Sequence, residues 1–282
     1  MKTIYYTSFA LLFALAIITT GCKKEKEEDY DTQSSQDNAQ SENIFNEINE
    51  IADQAVEDGQ LSTHRFGSGE SGLLTSCAMI TVNIDTTDGS GTAIIDFGSH
   101  FCQGNDAKFR KGQINVSFTG AYRNAGTVIT MNAINYFVGY DSSYATKVNG
   151  QRVVTNNGLN SSGNPNFSIQ ANATLVNYLS QQMTWNSTRN REWIAGDSTT
   201  SWVDDEYLIT GSANGKSFAG VNFSALVTQA LHVKLSCRWI TEGKFTLTPE
   251  GKPERYLDYG NGTCDGDATV TIGDKTYQVT LR

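Results

Sequence analysis

Met183-Thr184-Trp185-Asn186-Ser187-Thr188-Arg189-Asn190-Arg191-Glu192-Trp193 is the run that decides the fold. In an extended strand alternate residues share a face. Trp185, Ser187, Arg189, Arg191 and Trp193 therefore line one side of it. Similar stretches rich in Val, Ile, Thr, Phe and Tyr recur at Gln113–Phe118, Val128–Phe137, Phe167–Val176 and Val221–Leu235, punctuated by Gly, Asn and Asp. Asn149-Gly150 and Asn214-Gly215 sit between such runs and read as type I′ hairpin turns, which require positive φ at both central residues. Three prolines in the whole chain leave little to interrupt sheet pairing. The pattern predicts one β domain over residues 72–282, of roughly ten to thirteen antiparallel strands, as a sandwich or a curved meander.

The two ends of this domain repeat each other. Ser76-Cys77-Ala78-Met79-Ile80-Thr81 matches Ser236-Cys237-Arg238-Trp239-Ile240-Thr241, and Ile95-Asp96-Phe97-Gly98 with Cys102 matches Leu257-Asp258-Tyr259-Gly260 with Cys264. Opposed residues of a hairpin have a constant index sum. Cys77 with Cys102 places a turn centre inside Asp88-Gly89-Ser90-Gly91, and Cys237 with Cys264 places one inside Pro249-Glu250-Gly251-Lys252. Duplicated disulfide hairpins, Cys77–Cys102 and Cys237–Cys264, are the expectation. Each closes a loop of roughly 25 residues, worth about 3 kcal/mol if unstrained. Such bridges imply an oxidising compartment.

Upstream of the domain the charge changes. The chain of 282 residues carries a net charge of −9. Residues 22–60 hold twelve acids and three lysines, so the β domain itself is nearly neutral. Without a basic face, nucleic acid is excluded as a partner. Residues 22–42 are acidic and poor in apolar side chains, which predicts a flexible tether. Over 43–59, Ile44, Phe45, Ile48, Ile51, Ala52, Ala55 and Val56 fall at helical spacing, with acids on the other face at Glu47, Glu50, Asp53 and Glu57. This predicts an amphipathic helix that docks on the domain, with Gly59 as its stop.

Residues 1–21 combine Lys2, an apolar run from Phe9 to Ile18 and the small residues before Cys22. That is a secretory signal pattern, too short for a membrane span. Thr19-Thr20-Gly21-Cys22 resembles the lipobox of bacterial lipoproteins, in which the cysteine is acylated and becomes the mature N-terminus. Lys23-Lys24-Glu25-Lys26-Glu27-Glu28-Asp29 resembles the surface-export signal of Bacteroidota lipoproteins. The β domain is similar to uncharacterised all-β lipoproteins of Bacteroidota envelopes in Arg152-Val153-Val154-Thr155-Asn156-Asn157-Gly158, Leu208-Ile209-Thr210-Gly211-Ser212 and Lys234-Leu235-Ser236-Cys237-Arg238-Trp239. The resemblance implies an outer-membrane, lipid-anchored, surface-exposed protein, with the membrane as its partner through Cys22. It implies no activity.

Searches for chemistry point away from catalysis. A Walker phosphate loop, His-Glu-x-x-His and Gly-x-Ser-x-Gly are missing from the sequence, and no cofactor is expected. His64, His100 and His232 stand in no suggestive setting for a base, and no cysteine spacing suits zinc. Asp265-Gly266-Asp267 lacks further calcium ligands and reads as turn chemistry. The patch of choice is Trp185, Arg189, Arg191 and Trp193, two indoles bracketing two guanidiniums, suited to a sugar or an acidic group. Its alternative is an arginine–aromatic ladder packed against Trp202 and Tyr207. The leading expectation is a non-catalytic interaction or glycan-binding module with a glycan or protein partner. A carbohydrate-active hydrolase would instead set Asp204 or Glu206 across a cleft from Glu192. An envelope assembly component would show an exposed apolar patch or an open sheet edge.

Overall fold

The computed structural model describes residues 29–61, 78–199, 201 and 203–281. Among the described residues one α-helix, α1 (Gln33–Leu61), precedes a sheet of fourteen strands. The first seven are β1 (Met79–Ile84), β2 (Gly91–Asp96), β3 (Cys102–Gln103), β4 (Phe109–Phe118), β5 (Val128–Gly139), β6 (Thr146–Leu159) and β7 (Pro165–Val176). The rest are β8 (Gln182–Ala195), β9 (Glu206–Lys216), β10 (Asn222–Lys234), β11 (Ile240–Pro249), β12 (Arg255–Asn261), β13 (Asp267–Ile272) and β14 (Lys275–Thr280). Each strand pairs antiparallel with its sequence neighbour, except that β2 pairs directly with β4 and the short β3 pairs with β4 alone. The fold is therefore a single meander rather than a sandwich.

The meander is curled. Neighbouring strands lie about 4.8 Å apart, so β5 and β10 would stand about 24 Å apart in a flat sheet. Yet Tyr140, just after β5, and Trp239, between β10 and β11, have ring centroids 6.0 Å apart. Arg238 lies over the same Tyr140 ring at 5.5 Å. The two flanks fold towards each other and meet through these side chains. Inside the curl lies α1, packed on β1, β2, β4, β5 and β11. Its apolar residues Ile44, Phe45, Ile48, Ile51, Ala52 and Ala55 join inward residues such as Ile95, Ile114, Tyr136 and Leu257 in one core.

The helix begins well before the stretch expected for it. Residues 33–42, expected as part of a flexible tether, are helical, and Ser34, Ser35, Asp37, Asn38, Ser41 and Glu42 are buried. It also runs past Gly59 to Leu61. Polar side chains order this stretch of nearly three turns because specific partners on the sheet receive them: Trp185 Nε1 donates to Asn38 Oδ1 at 2.9 Å, and the Phe218 N–H donates to Asp37 Oδ2 at 3.0 Å. At the start of the helix the Gln33 N–H donates to Asp31 Oδ1.

Both Asn-Gly hairpins are absent. Asn149-Gly150 lies within β6, where Gly150 pairs with Ala133 and Ala173; Asn214-Gly215 lies within β9, where Gly215 pairs with Trp185 and Phe223. These glycines answer a different need. A Cβ on Gly150 would stand 2.5 Å from the Asn172 carbonyl oxygen, and one on Gly215 would stand 1.9 Å from that of Thr184. Tight coiling of the sheet brings the next strand too close for any side chain there. The real β6–β7, β7–β8 and β9–β10 turns share one design, in which Asn160, Asn177 or Ser217 bonds to the residue four further on and the fourth position has positive φ (Gly163, Ser180, Gly220).

Cys237–Cys264 is a disulfide with Cα atoms 5.8 Å apart. Its hairpin register, Lys244 opposite Asp258, gives an index sum of 502, one from the expected 501. The first hairpin differs: Met79 opposite Asp96 gives 175 instead of 179. Cys102 sits beyond that ladder on β3, opposite Arg110 of β4, and is disulfide-bonded. Its expected partner Cys77 lies outside the described residues.

A Gly215→Ala variant is expected to lose on the order of 3 kcal/mol, as overpacking against backbone does. Gly163→Ala, at a turn with open space around its Cβ position, should lose only about 1 kcal/mol. Denaturant unfolding of the two variants checks this, and equal losses would contradict the close approach.

Candidate functional site

The inward face of the sheet carries charge as well as hydrocarbon. Arg110 on β4, Arg152 on β6, Arg189 and Arg191 on β8 and Arg255 at the start of β12 are all buried. Each projects from the concave side because it occupies the same parity as the apolar residues beside it, as with Arg152 and Val154 or Arg110 and Ile114. Buried guanidiniums need counter-charges, and the N-terminal segment supplies them.

Three ion-paired stations run along the helix. At its N-terminal end Asp29 binds Arg255 at 2.5 Å and Asp31 binds Lys252 at 2.7 Å. Next, Glu42 receives Arg189, with Nη2 at 2.7 Å and Nε at 3.1 Å from Oε2. Mid-helix, Glu47 Oε1 accepts from Arg110 Nη2 at 2.6 Å and Nε at 2.9 Å, and from the Tyr136 hydroxyl at 3.2 Å. Lys108 binds the other oxygen of Glu47, and Asp106 clasps the far side of Arg110.

The electrostatics follow from this placement. Burial alone would push the Glu47 carboxyl up, but Arg110 and Lys108 outweigh it and hold the pKa at about 2. Glu50 is also on the helix but takes the opposite course. Burial, reinforced by the negative charge of Glu47, lifts it to about 8. Asp37 is lifted to about 6 by burial, opposed by its bonds to Gln33 and the Phe218 N–H. Burial, with the charge of Arg191, pulls Arg152 down to about 10, opposed by Glu42 and Asp53.

The expected patch forms one face, as the alternation requires, but that face is covered. Trp185, Arg189, Arg191 and Trp193 are all buried. Trp185 stacks on Phe45 of the helix with centroids 5.2 Å apart. Arg189 holds Glu42, as above. Arg191 lies over the rings of Tyr207 at 4.5 Å and Phe167 at 5.1 Å and bonds to the Tyr122 hydroxyl. Trp193 packs on Tyr207 and Tyr122. The arginine–aromatic ladder therefore exists, with Tyr207 as expected and Tyr122 and Phe167 in addition; Trp202 lies outside the described residues. What the patch grips is the chain's own helix.

The other candidate residues stand apart. Glu192 accepts from the amides of Asn160 and Asn164 at 2.8 Å each, fastening the β6–β7 turn. Glu206 bonds His232 at 2.8 Å, Asp204 accepts from Thr199 Oγ1 and buried Asp205 accepts from the Tyr207 hydroxyl. Glu192 and Glu206 both point outward on neighbouring strands, so no cleft lies between them. Asp265 accepts from the Asp267 N–H, a turn bond, and His100 is exposed in a bend. Cys22 and His64 lie outside the described residues.

Lys108, Arg110, Arg152 and Arg255 escaped the sequence reading. Their signal was present, since each arginine occupies a position where strand alternation calls for an apolar residue.

On the outward face the meander brings another set into line. Asn115, Asn132, Gln151, Asn172, Asn186 and Asn214 stand directly opposite one another across six neighbouring strands, β4 to β9. Gln151 Nε2 donates to Asn132 Oδ1 at 3.0 Å, while Asn172, Asn186 and Asn214 are exposed. The row runs about 24 Å at the usual strand spacing.

Together these features define an antiparallel meander curled around its own N-terminal helix, charged within and amide-rich without. The chain matches no known protein family, no curated protein and no solved structure.

The two helix carboxylates give opposite pH dependences. Glu47, depressed from its ordinary 4.5, contributes stability above that value and loses it as pH falls towards 2. Glu50, raised from 4.5, adds a cost that appears as pH climbs from 4.5 to about 8. Glu50→Gln should therefore stabilise the protein by on the order of 2 kcal/mol above neutral pH and leave it unchanged near pH 4. Unfolding curves at both pH values check this; destabilisation at alkaline pH would contradict it.

Proposed function

We propose that the protein is a lipid-anchored lipoprotein of the outer membrane, displayed at the cell surface, that acts as a non-catalytic glycan-binding module. The leader and Cys22 support the anchor, and the Cys237–Cys264 bridge is in keeping with an oxidising compartment. The amide row on the outward face carries the binding reading. Side-chain amides offer both donors and acceptors to the hydroxyl pairs of a sugar, and a row free of charged residues suits an extended neutral glycan rather than an acidic one.

This moves the ligand from the inner to the outer face. The Trp185–Trp193 patch is committed to Asn38, Glu42 and Phe45, so a sugar would have to displace α1 to reach it.

Two experiments test the reading. A glycan array probed with the mature protein should reveal a neutral polysaccharide ligand, and Asn172→Ala combined with Asn186→Ala should weaken its binding about tenfold, the loss of two ordinary hydrogen bonds. Undiminished binding by that variant would remove the amide row from the site. Separately, Cys22→Ala should move the protein from the membrane to the soluble fraction; stable anchoring of the variant would contradict lipidation.

A further inference from the structure

The N-terminal end of α1 is surrounded by hairpin tips that hold apolar side chains in water. Tyr30 is 65% exposed, Tyr144 60%, Tyr178 55% and Leu179 60%. Tyr144 belongs to the β5–β6 connection, and Tyr178 and Leu179 belong to the β7–β8 turn. The two tyrosines meet edge to face with centroids 4.8 Å apart, which joins the tips into one surface. That surface borders a groove of about 620 Å³ running over Gln33, Gln36 and Gln40 of the helix. At the same end Asp29 and Asp31 are fastened to Arg255 and Lys252.

Length decides which way this end faces. Only six residues lie between Cys22 and Asp29, and fully extended that stretch spans at most about 25 Å. The helix, at 29 residues, is about 43 Å long. A chain acylated at Cys22 therefore has too short a leash to turn this end away from the bilayer. Tyrosine is the side chain that favours the headgroup layer, with its ring in hydrocarbon and its hydroxyl in water, and leucine beside it adds apolar area to bury.

We propose that Tyr30, Tyr144, Tyr178 and Leu179 rest in the headgroup layer of the membrane that holds the Cys22 lipid. The inference builds on the lipid-anchor reading. It makes the body a seated domain of fixed orientation, with its outward amide row standing away from the bilayer.

The test compares acylated protein, reconstituted in vesicles of phosphatidylethanolamine with a minority of phosphatidylglycerol, with the Cys22→Ala chain in solution. Intact mass reads the acylation and amide hydrogen exchange reads the contact. On vesicles, exchange across residues 142–145 and 177–181 should slow at least about tenfold, with the β8–β9 connection unchanged. Tyr178→Ser with Leu179→Ser should abolish that protection. An acylated protein whose two tips exchange equally on and off vesicles overturns the inference and leaves the anchor standing. A mass without lipid overturns the anchor and the inference with it. Protection of the same tips in the Cys22→Ala chain as its concentration rises would assign the surface to a second copy, and so also overturn the inference.

Discussion

Five arginines point into the curl of one sheet, and a guanidinium is costly to bury without a partner. An unpaired guanidinium in such a place would cost several kcal/mol. The carboxylates of Asp29, Glu42 and Glu47 meet three of them directly, and Tyr122 with its neighbouring rings surrounds a fourth, Arg191. The helix is thus a part of the core. Without it the inner face would be a charged trough; with it the sheet has something to curl around.

This changes the meaning of the chain's charge. The −9 is concentrated upstream of the β domain and reads, on composition, as the signature of a solvated tether. Part of it, carried by Asp29, Asp31, Glu42 and Glu47, is instead the counter-charge of basic residues on the sheet. Polar composition argues for disorder only when no partner is in reach. Here the partners lie on strands well over a hundred residues away, as with Asn38 and Trp185 or Glu42 and Arg189. No local window contains both members of such a pair. The apolar half of the helix, from Ile44 to Val56, was legible because its spacing is self-contained.

The same distinction separates the other successes and failures of the sequence. Strand alternation is local, so β5, β7, β8 and β10 are readable nearly to their ends, and so is the shared face of Trp185, Arg189, Arg191 and Trp193. Whether that face meets solvent or a helix depends on curvature, which alternation does not encode. Asn-Gly misled for a related reason: in Gly150 and Gly215 the glycine serves close strand approach, while the turns use a different spacing of Asn or Ser and a positive-φ residue. The second hairpin register was recoverable from its cysteines to within one residue. In the first, β3 intervenes and the index sum fails.

The central claim is that specific carboxylate–guanidinium pairs hold the N-terminal helix inside the sheet. A double-mutant cycle on Glu42 and Arg189, using Glu42→Gln, Arg189→Gln and the double variant in denaturant unfolding, measures one such pair directly. A coupling of about 2 kcal/mol or more is the expected result, because each single change strands a buried charge that the double change relieves. A coupling near zero would mean that the helix is not held by these charges, and would contradict the account.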